Sequence, residues 1–191
     1  MPSILATATA ARCPFSLSII GPPLFPGLSA ASILDPISGS NAALSGGYSR
    51  VCVMPDTTPT IDNSELVKFI FDSTSSLPIK IYPIGSITKG LKGTEISELG
   101  SMINAGAIAI SDATHPVMNG QVMRYALEYA KMFNIPVINH AEDLCLVNGG
   151  IMNESVNSLR LGLAGNPDIA ESTMIYRDLS IAHYVSGKIH V

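Results

Sequence analysis

Charged side chains are scarce in this sequence. They number 26 of 191 residues, or 14%, against roughly 25% in an ordinary soluble domain. A net charge of −4 excludes the polybasic surface of a nucleic-acid binder, and a hydrophobic content of 47% excludes a disordered acidic tail. No apolar run reaches the 18 or more residues of a membrane span, so the hydrophobicity belongs to a buried core. Cysteine is also sparse. Cys13, Cys52 and Cys145 are odd in number and lack C-x-x-C spacing, which argues against a disulfide framework and a zinc ribbon. Reduced, buried thiols in a cytoplasmic protein are the expectation.

The shortage of charge is uneven. Among the first 49 residues only Arg12 and Asp35 are charged, and Pro2, Pro14, Pro22, Pro23, Pro26 and Pro36 forbid a continuous helix or central strand there. No basic residue precedes the apolar stretch and Pro14 interrupts it, unlike a secretory signal; one arginine is thin support for a transit peptide. Residues 1–37 therefore read as an irregular, charge-poor leader, and 38–191 as the folded domain.

From residue 50 the pattern becomes regular. Arg50–Met54, Ile79–Ile84, Ala107–Ile110, Pro136–Asn139 and Lys188–Val191 are short apolar runs of buried-strand character. Between them lie helical segments. The first starts at Asp62-Asn-Ser-Glu65, with Leu66, Phe69 and Ile70 at helical spacing. The second runs from Glu95 to Asn104 and is closed by Gly106. The third runs from Asn119 to Phe133, with Val122, Tyr125, Ala126 and Tyr129 on one side. The fourth is capped by Asp168-Ile-Ala-Glu171 and reaches about Val185. Alternation of this kind predicts an α/β chain with a parallel sheet, either doubly wound or barrel-shaped. A complete eight-stranded barrel typically needs about 250 residues, more than this chain has.

Chemistry in such proteins sits in the loops after the strands. Here those loops carry Asp56-Thr57-Thr58, Gly85 to Gly90, Ser111-Asp112 and His140-Ala-Glu-Asp143. A histidine directly after a buried strand suits a metal ligand or a general base, and equally a hydrogen-bonded loop residue. Gly90-Leu-Lys-Gly93 reads as an anion cradle or a plain glycine loop. No G-x-G-x-x-G follows the first strand, so dinucleotide binding has no local support.

Taken together, Val51-Cys-Val-Met-Pro-Asp-Thr-Thr-Pro59, Pro83-Ile-Gly-Ser-Ile-Thr-Lys-Gly90, Leu127-Glu-Tyr-Ala-Lys131 and Pro136-Val-Ile-Asn-His-Ala-Glu-Asp143 resemble the dihydroorotases of the amidohydrolase superfamily. Met152-Asn-Glu154 and Arg160-Leu-Gly-Leu163 continue the likeness, which covers about 38–191 in order. The resemblance implies a partial (β/α)8 TIM-like barrel of the metal-dependent hydrolase type with about strands 2–6 present. The implied activity is interconversion of N-carbamoyl-L-aspartate and L-dihydroorotate in pyrimidine biosynthesis, with zinc activating water and polarising the scissile carbonyl. Hydantoin or allantoin as an alternative cyclic amide stays open, with dihydroorotate favoured by the Gly85 to Gly90 and Asn139 to Asp143 stretches.

The resemblance transfers few site residues. His140 matches the metal ligand after strand five. Asp112 is a weaker candidate, because the family carries Asp-Asp after strand four where this chain has Asp112-Ala113. Asp56 stands where the family has a substrate-binding Asn, which adds negative charge beside a dianionic substrate. Phe25-Pro-Gly-Leu28 and Asp35 to Leu44 look like the flanks of strand one, but no H-x-H with a following Arg lies between them. His115 is a recruitable or solvated loop residue, His183 a helix-face residue, and His190 precedes the position of the strand-six ligand. Strands seven and eight and their proton-transfer Asp have no counterpart.

Two readings follow. One is a dihydroorotase of which this chain is a truncated or mis-framed product, inactive alone. The other is a non-catalytic subunit that scaffolds aspartate carbamoyltransferase. Either reading implies a cytoplasmic protein with no nucleic-acid or membrane partner. Open sheet edges further imply a homo-oligomer or other self-association.

Overall fold

The computed structural model describes residues 18–20, 36–147 and 149–191. The rest of the leader at 1–37, including Cys13, Phe25 to Leu28 and Asp35, lies outside the described residues. The architecture is mixed α/β with small parallel sheets. Strands β1 (Ser18–Ile20), β2 (Arg50–Val53) and β3 (Lys80–Pro83) form one parallel sheet in that order. A second parallel sheet has β4 (Ile110–Ser111), β5 (Val137–Ile138) and β8 (Ile189–His190), again in that order. Between β5 and β8 the chain also forms the parallel pair β6 (Met152–Asn153) and β7 (Gly165–Asn166).

The two main sheets meet at one seam. Gly85 bridges Ile110 in parallel fashion; Gly85 N donates to Ala109 O at 3.1 Å and Ser111 N to Gly85 O at 2.9 Å. The joined order is therefore β1, β2, β3, β4, β5, β8. Neighbours in space follow chain order, with no point at which the order reverses, unlike a doubly wound sheet.

Helices fill the connections: α1 (Pro36–Ser45), α2 (Ser64–Thr74), α3 (Leu99–Asn104), α4 (Gly120–Met132), α5 (Leu144–Val147), α6 (Val156–Leu161) and α7 (Ile169–Val185). Their apolar faces cover one side of the sheets. Val67 and Ile70 of α2, Met102 of α3, and Met123 and Leu127 of α4 pack with Val51, Ile81, Ile110 and Val137 from the strands. The opposite sheet face holds a smaller cluster, Cys52, Ile84 and Ala109, flanked by Met54, Tyr82 and Ile138. Because side chains alternate along a strand, Val51 and Ile81 face the helices while Cys52 and Tyr82 face away. With both faces apolar, the strands read as unbroken hydrophobic runs.

Each sequence-predicted helix from Arg50 onward is present, as are the strands, although the strand expected at Ala107–Ile110 is displaced to Ile110–Ser111. Helix α2 is capped by Asn63, whose side chain accepts from Leu66 N at 3.0 Å, and not by Asp62. Asp62 is engaged elsewhere: it accepts from Asn63 Nδ2 and from Gly90 N, both at 3.2 Å. Helix α3 begins four residues later than predicted, because Ile96 pairs antiparallel with Thr88 and the Ser97 hydroxyl lies 2.8 Å from that of Ser86. In α4 the buried stripe is Val122, Met123, Ala126, Leu127 and Ala130, which leaves Tyr125 and Tyr129 half exposed at its border. Phe69 is likewise exposed in α2, where Val67, Ile70 and Thr74 are buried. Asp168 does start α7, but its side chain makes no capping bond. Cys52 is buried as expected, and Cys145 is exposed.

Two features were not foreseen. Ser18–Ile20 is a strand inside the segment read as irregular, and it pairs in parallel with β2. Residues 139–168 form a compact excursion between β5 and α7. It contains α5, β6, α6 and β7, and the sequence reading left it without elements.

Gly106 ends the turn after α3 with φ of +114°, and a Cβ there would stand 2.5 Å from the Phe71 ring. Gly106→Ala is expected to destabilise the fold by about 3 kcal/mol, because it combines backbone strain with overpacking. Chemical denaturation of the two proteins measures this directly.

Candidate functional site

All six main strands run parallel, so the loops that follow β2, β3, β4 and β5 emerge at one end of the sheet. Asp112 directly follows β4 there and is 1% exposed. One carboxylate oxygen accepts from Ile87 N at 2.8 Å and from Thr88 N at 2.9 Å; the other accepts from the Thr88 hydroxyl at 2.5 Å. The Thr88 hydroxyl oxygen in turn accepts from Gly93 N at 2.9 Å. The loop after β3 is thus held by a carboxylate that belongs to the next strand. Burial pushes the Asp112 carboxyl up from its ordinary value, against the lowering pull of the Thr88 hydroxyl, the Thr88 and Ile87 amides, and His115.

His140 follows β5. Its Nε2 lies 3.6 Å from Glu142 Oε2, and both side chains are partly exposed. They line an open cleft of about 980 Å³ together with Glu154, Asp168 and Glu171. The cleft therefore presents four carboxylates and one imidazole. Neither Asp56 nor Asp112 lines it. Asp56 is half-buried in the loop after β2, where the Thr57 hydroxyl donates to Pro59 O at 2.7 Å. His115 is exposed, its backbone N donating to Asp112 O at 2.9 Å; His183 is exposed on α7 and His190 at the end of β8.

The residue before His140 is anchored from behind. Asn139 Nδ2 donates to Asp178 Oδ2 at 2.6 Å, and Asp178 is fully buried in α7. Arg177 Nε donates to Asp178 Oδ1 at 2.8 Å. The same guanidinium donates to the carbonyls of Met118 and Val117, each at 2.8 Å. Burial raises the Asp178 carboxyl above its ordinary value, while Arg177 first and Asn139 second draw it down. One side-chain network therefore joins α7, the His140 loop and the loop before α4. Sequence reading missed it, although a signal was present. Ala170, Met174, Asp178 and Ala182 recur every four residues, which puts a carboxylate on the buried stripe of α7.

A zinc ion bound catalytically takes three protein ligands. Among the described residues, no group of three or more His, Cys, Asp or Glu stands close enough to hold a metal. His140 stands beside Glu142 at 3.6 Å, and both Asp112 oxygens are committed to the loop. The donor set of these residues does not fit a zinc centre.

Replacing Asp112 by Ala orphans the buried amide and hydroxyl of Thr88, leaves Ile87 N only its 3.3 Å contact with Ser111 O, and should destabilise the chain by about 3 kcal/mol in urea titration. Asp112→Asn keeps the shape and removes the charge. The wild-type carboxyl is raised above 3.8 in the folded state, so wild-type stability rises as pH falls through the raised value toward 3.8. Asp112→Asn lacks that gain, so its stability relative to wild type is expected to be greatest near pH 7 and to decline toward pH 4. Asp178→Ala leaves Arg177 without its counter-ion and should cost about 3 kcal/mol, together with altered backbone amide shifts at Val117, Met118 and His140.

Comparison with known proteins places this geometry. The dihydro-orotase-like family matches residues 25–191. The dihydroorotase of Ruminiclostridium cellulolyticum is 46% identical over 155 residues, and that of Syntrophotalea carbinolica 44% identical over 155; each match covers 81% of this chain and 36% of the relative. The dihydroorotase of Solibacter usitatus is 43% identical over 167 residues, covering 87% of this chain and 38% of that protein. The chain thus spans little more than a third of the length of these relatives. Matched over most of its own length, it belongs to the dihydroorotase-like family.

Proposed function

We propose that this chain forms a wall of the (β/α)8 barrel of a dihydroorotase-type enzyme of pyrimidine biosynthesis, which interconverts N-carbamoyl-L-aspartate and L-dihydroorotate. The observation that carries this reading is the unbroken spatial order of six parallel strands, with the loops after β2, β3, β4 and β5 at one end. A sheet in which each strand pairs with its successor, with helices on one face, is the arrangement that curls into a barrel. The likeness to dihydroorotases supports the choice of substrate.

Alone, the 191-residue chain does not hydrolyse a ring amide. The family's chemistry draws on zinc to make a nucleophile of water near neutral pH, and the described donors do not fit that ion. The cleft beside His140 is lined by four carboxylates, which disfavours a dianionic substrate. What the chain supplies is the frame: Asp112 fixes the loop after β3, and the Asn139–Asp178–Arg177 network fixes the loop after β5. Among the described residues no helix is long and apolar enough to cross a membrane, and we place the protein in the cytoplasm.

The purified chain is expected to show neither dihydroorotate hydrolysis nor carbamoyl-aspartate cyclisation above the buffer rate, and to carry zinc well below one ion per chain by mass spectrometry. Turnover together with stoichiometric zinc that is lost in His140→Ala would overturn this reading.

A further inference from the structure

Two side-chain oxygens among the described residues are buried without a hydrogen-bond partner, Asn139 Oδ1 and Asn166 Oδ1. Both residues line the cleft beside His140. Buried polar atoms are nearly always satisfied, so two orphans on the wall of one cleft call for a partner that enters it. Asn139 is 5% exposed, and the orientation of its amide is fixed. Its Nδ2 donates to Asp178 Oδ2, on a carboxylate that also accepts from Arg177 Nε, so the nitrogen faces α7 and the oxygen is turned away from that carboxylate. Donation to a carboxylate polarises the amide and makes Oδ1 a stronger acceptor. Both orphans are acceptors. The partner they lack is a donor.

The rest of the wall specifies the kind of donor. Glu142, Glu154, Asp168 and Glu171 line the same cleft, and no Lys or Arg does, which favours a cation. One metal ion does not answer the pattern, because no three of the described His, Cys, Asp or Glu stand close enough to share it. The carboxylates are spread around an open space of about 980 Å³, among apolar side chains that include Val147, Leu159, Ile169 and Ile175. Separated acidic points with apolar surface among them match a flexible chain that has positive ends and a methylene middle. Ammonium suits the two asparagine oxygens better than guanidinium. It carries three donors and no acceptor and acts as a compact point charge, whereas guanidinium is a planar fork shaped for the two oxygens of a carboxylate.

We propose that this cleft binds an aliphatic diamine or polyamine, whose ammonium groups donate to Asn139 Oδ1 and Asn166 Oδ1 and whose charge is matched by Glu142, Glu154, Asp168 and Glu171. The site uses described residues of this chain alone, and it depends neither on the barrel reading nor on any hydrolytic activity. The Asp178–Arg177 pair acts here as a positioning group, since it fixes which end of the Asn139 amide faces the ligand.

Titration of the 191-residue chain with putrescine and spermidine, followed by calorimetry and by NMR of the asparagine side-chain amides, tests the proposal. Both ligands are expected to shift the Asn139 and Asn166 side-chain resonances. Putrescine should bind at least about tenfold more tightly than butylamine, because its second ammonium adds a second set of charge contacts. The double variant Glu154→Gln, Glu171→Gln alters two exposed side chains. It should weaken putrescine binding by about tenfold and leave the urea midpoint unchanged. Side-chain resonances of Asn139 and Asn166 that do not move assign the two oxygens to water and overturn the proposal. Equal affinity for butylamine or for magnesium ion overturns it as well, since the cleft is then an acidic surface that gathers any cation. Binding of a lysine-rich peptide without binding of either free amine also overturns it, in favour of a macromolecular partner.

Discussion

The seam between two three-stranded sheets is the constraint on which the rest of this molecule depends. Backbone pairing there is short: the bridge between Gly85 and Ile110 has two hydrogen bonds, and Ile108 N to Pro83 O and Ile87 N to Ser111 O, each at 3.3 Å, flank it. The Asp112 carboxylate completes it by reaching from the end of β4 to the amides of Ile87 and Thr88 beyond β3. A buried carboxylate is expensive to desolvate, and it persists because charge-assisted hydrogen bonds from Ile87 N, Thr88 N and the Thr88 hydroxyl compensate it. The same residue therefore serves sheet continuity and loop position at once. That double duty explains why an aspartate at a strand end, where chemistry is expected in a βα protein, here has no oxygen left over for a ligand.

A second buried carboxylate does comparable work on the far side. Asp178 brings Asn139 and Arg177 together, and through Arg177 it reaches the carbonyls of Val117 and Met118. Helix α7 is tied to α4 as well, by Lys131 Nζ donating to Val185 O at 2.8 Å and by the Arg124 guanidinium 5.6 Å from the centre of the Tyr184 ring. The layer of helices is thus cross-linked by polar contacts along with its apolar packing. In a chain so poor in charge, Asp112, Lys131, Arg177 and Asp178 are spent on joining elements.

How much of this was legible in the sequence follows from which interactions are local. Strands β2, β3, β5 and β8 announce themselves as apolar runs, and α2, α4 and α7 by spacing and start signals, because those signals are fixed within one element. Helix boundaries were legible to within a residue where the cap is local, as at Asn119, whose side chain accepts from Gln121 N at 2.9 Å. They were misread where a distant group intervenes. Asp62 yields its capping place because Gly90 claims its carboxylate, and the first turn expected for α3 is drawn out by Thr88 and Ser86. The candidate site shows the same division. His140 was found because strand-end position is a local property. Asp112 was found as a position but not as a loop anchor, because its partners lie 24 and 25 residues away. Asp178 was visible only to periodicity.

The excursion between β5 and α7 bears on how length can vary. Residues 139–168 leave the sheet and return to it, and the register of β8 is set by β5 and not by what lies between them. Loop-closure entropy grows only logarithmically, by about 0.6 kcal/mol for each doubling of length. Segments could therefore be added to or removed from the excursion with little effect on the sheet beneath, provided that the Asn139 and Asp178 ends stay joined. The fold separates a part whose length is free to change from a part whose register is not.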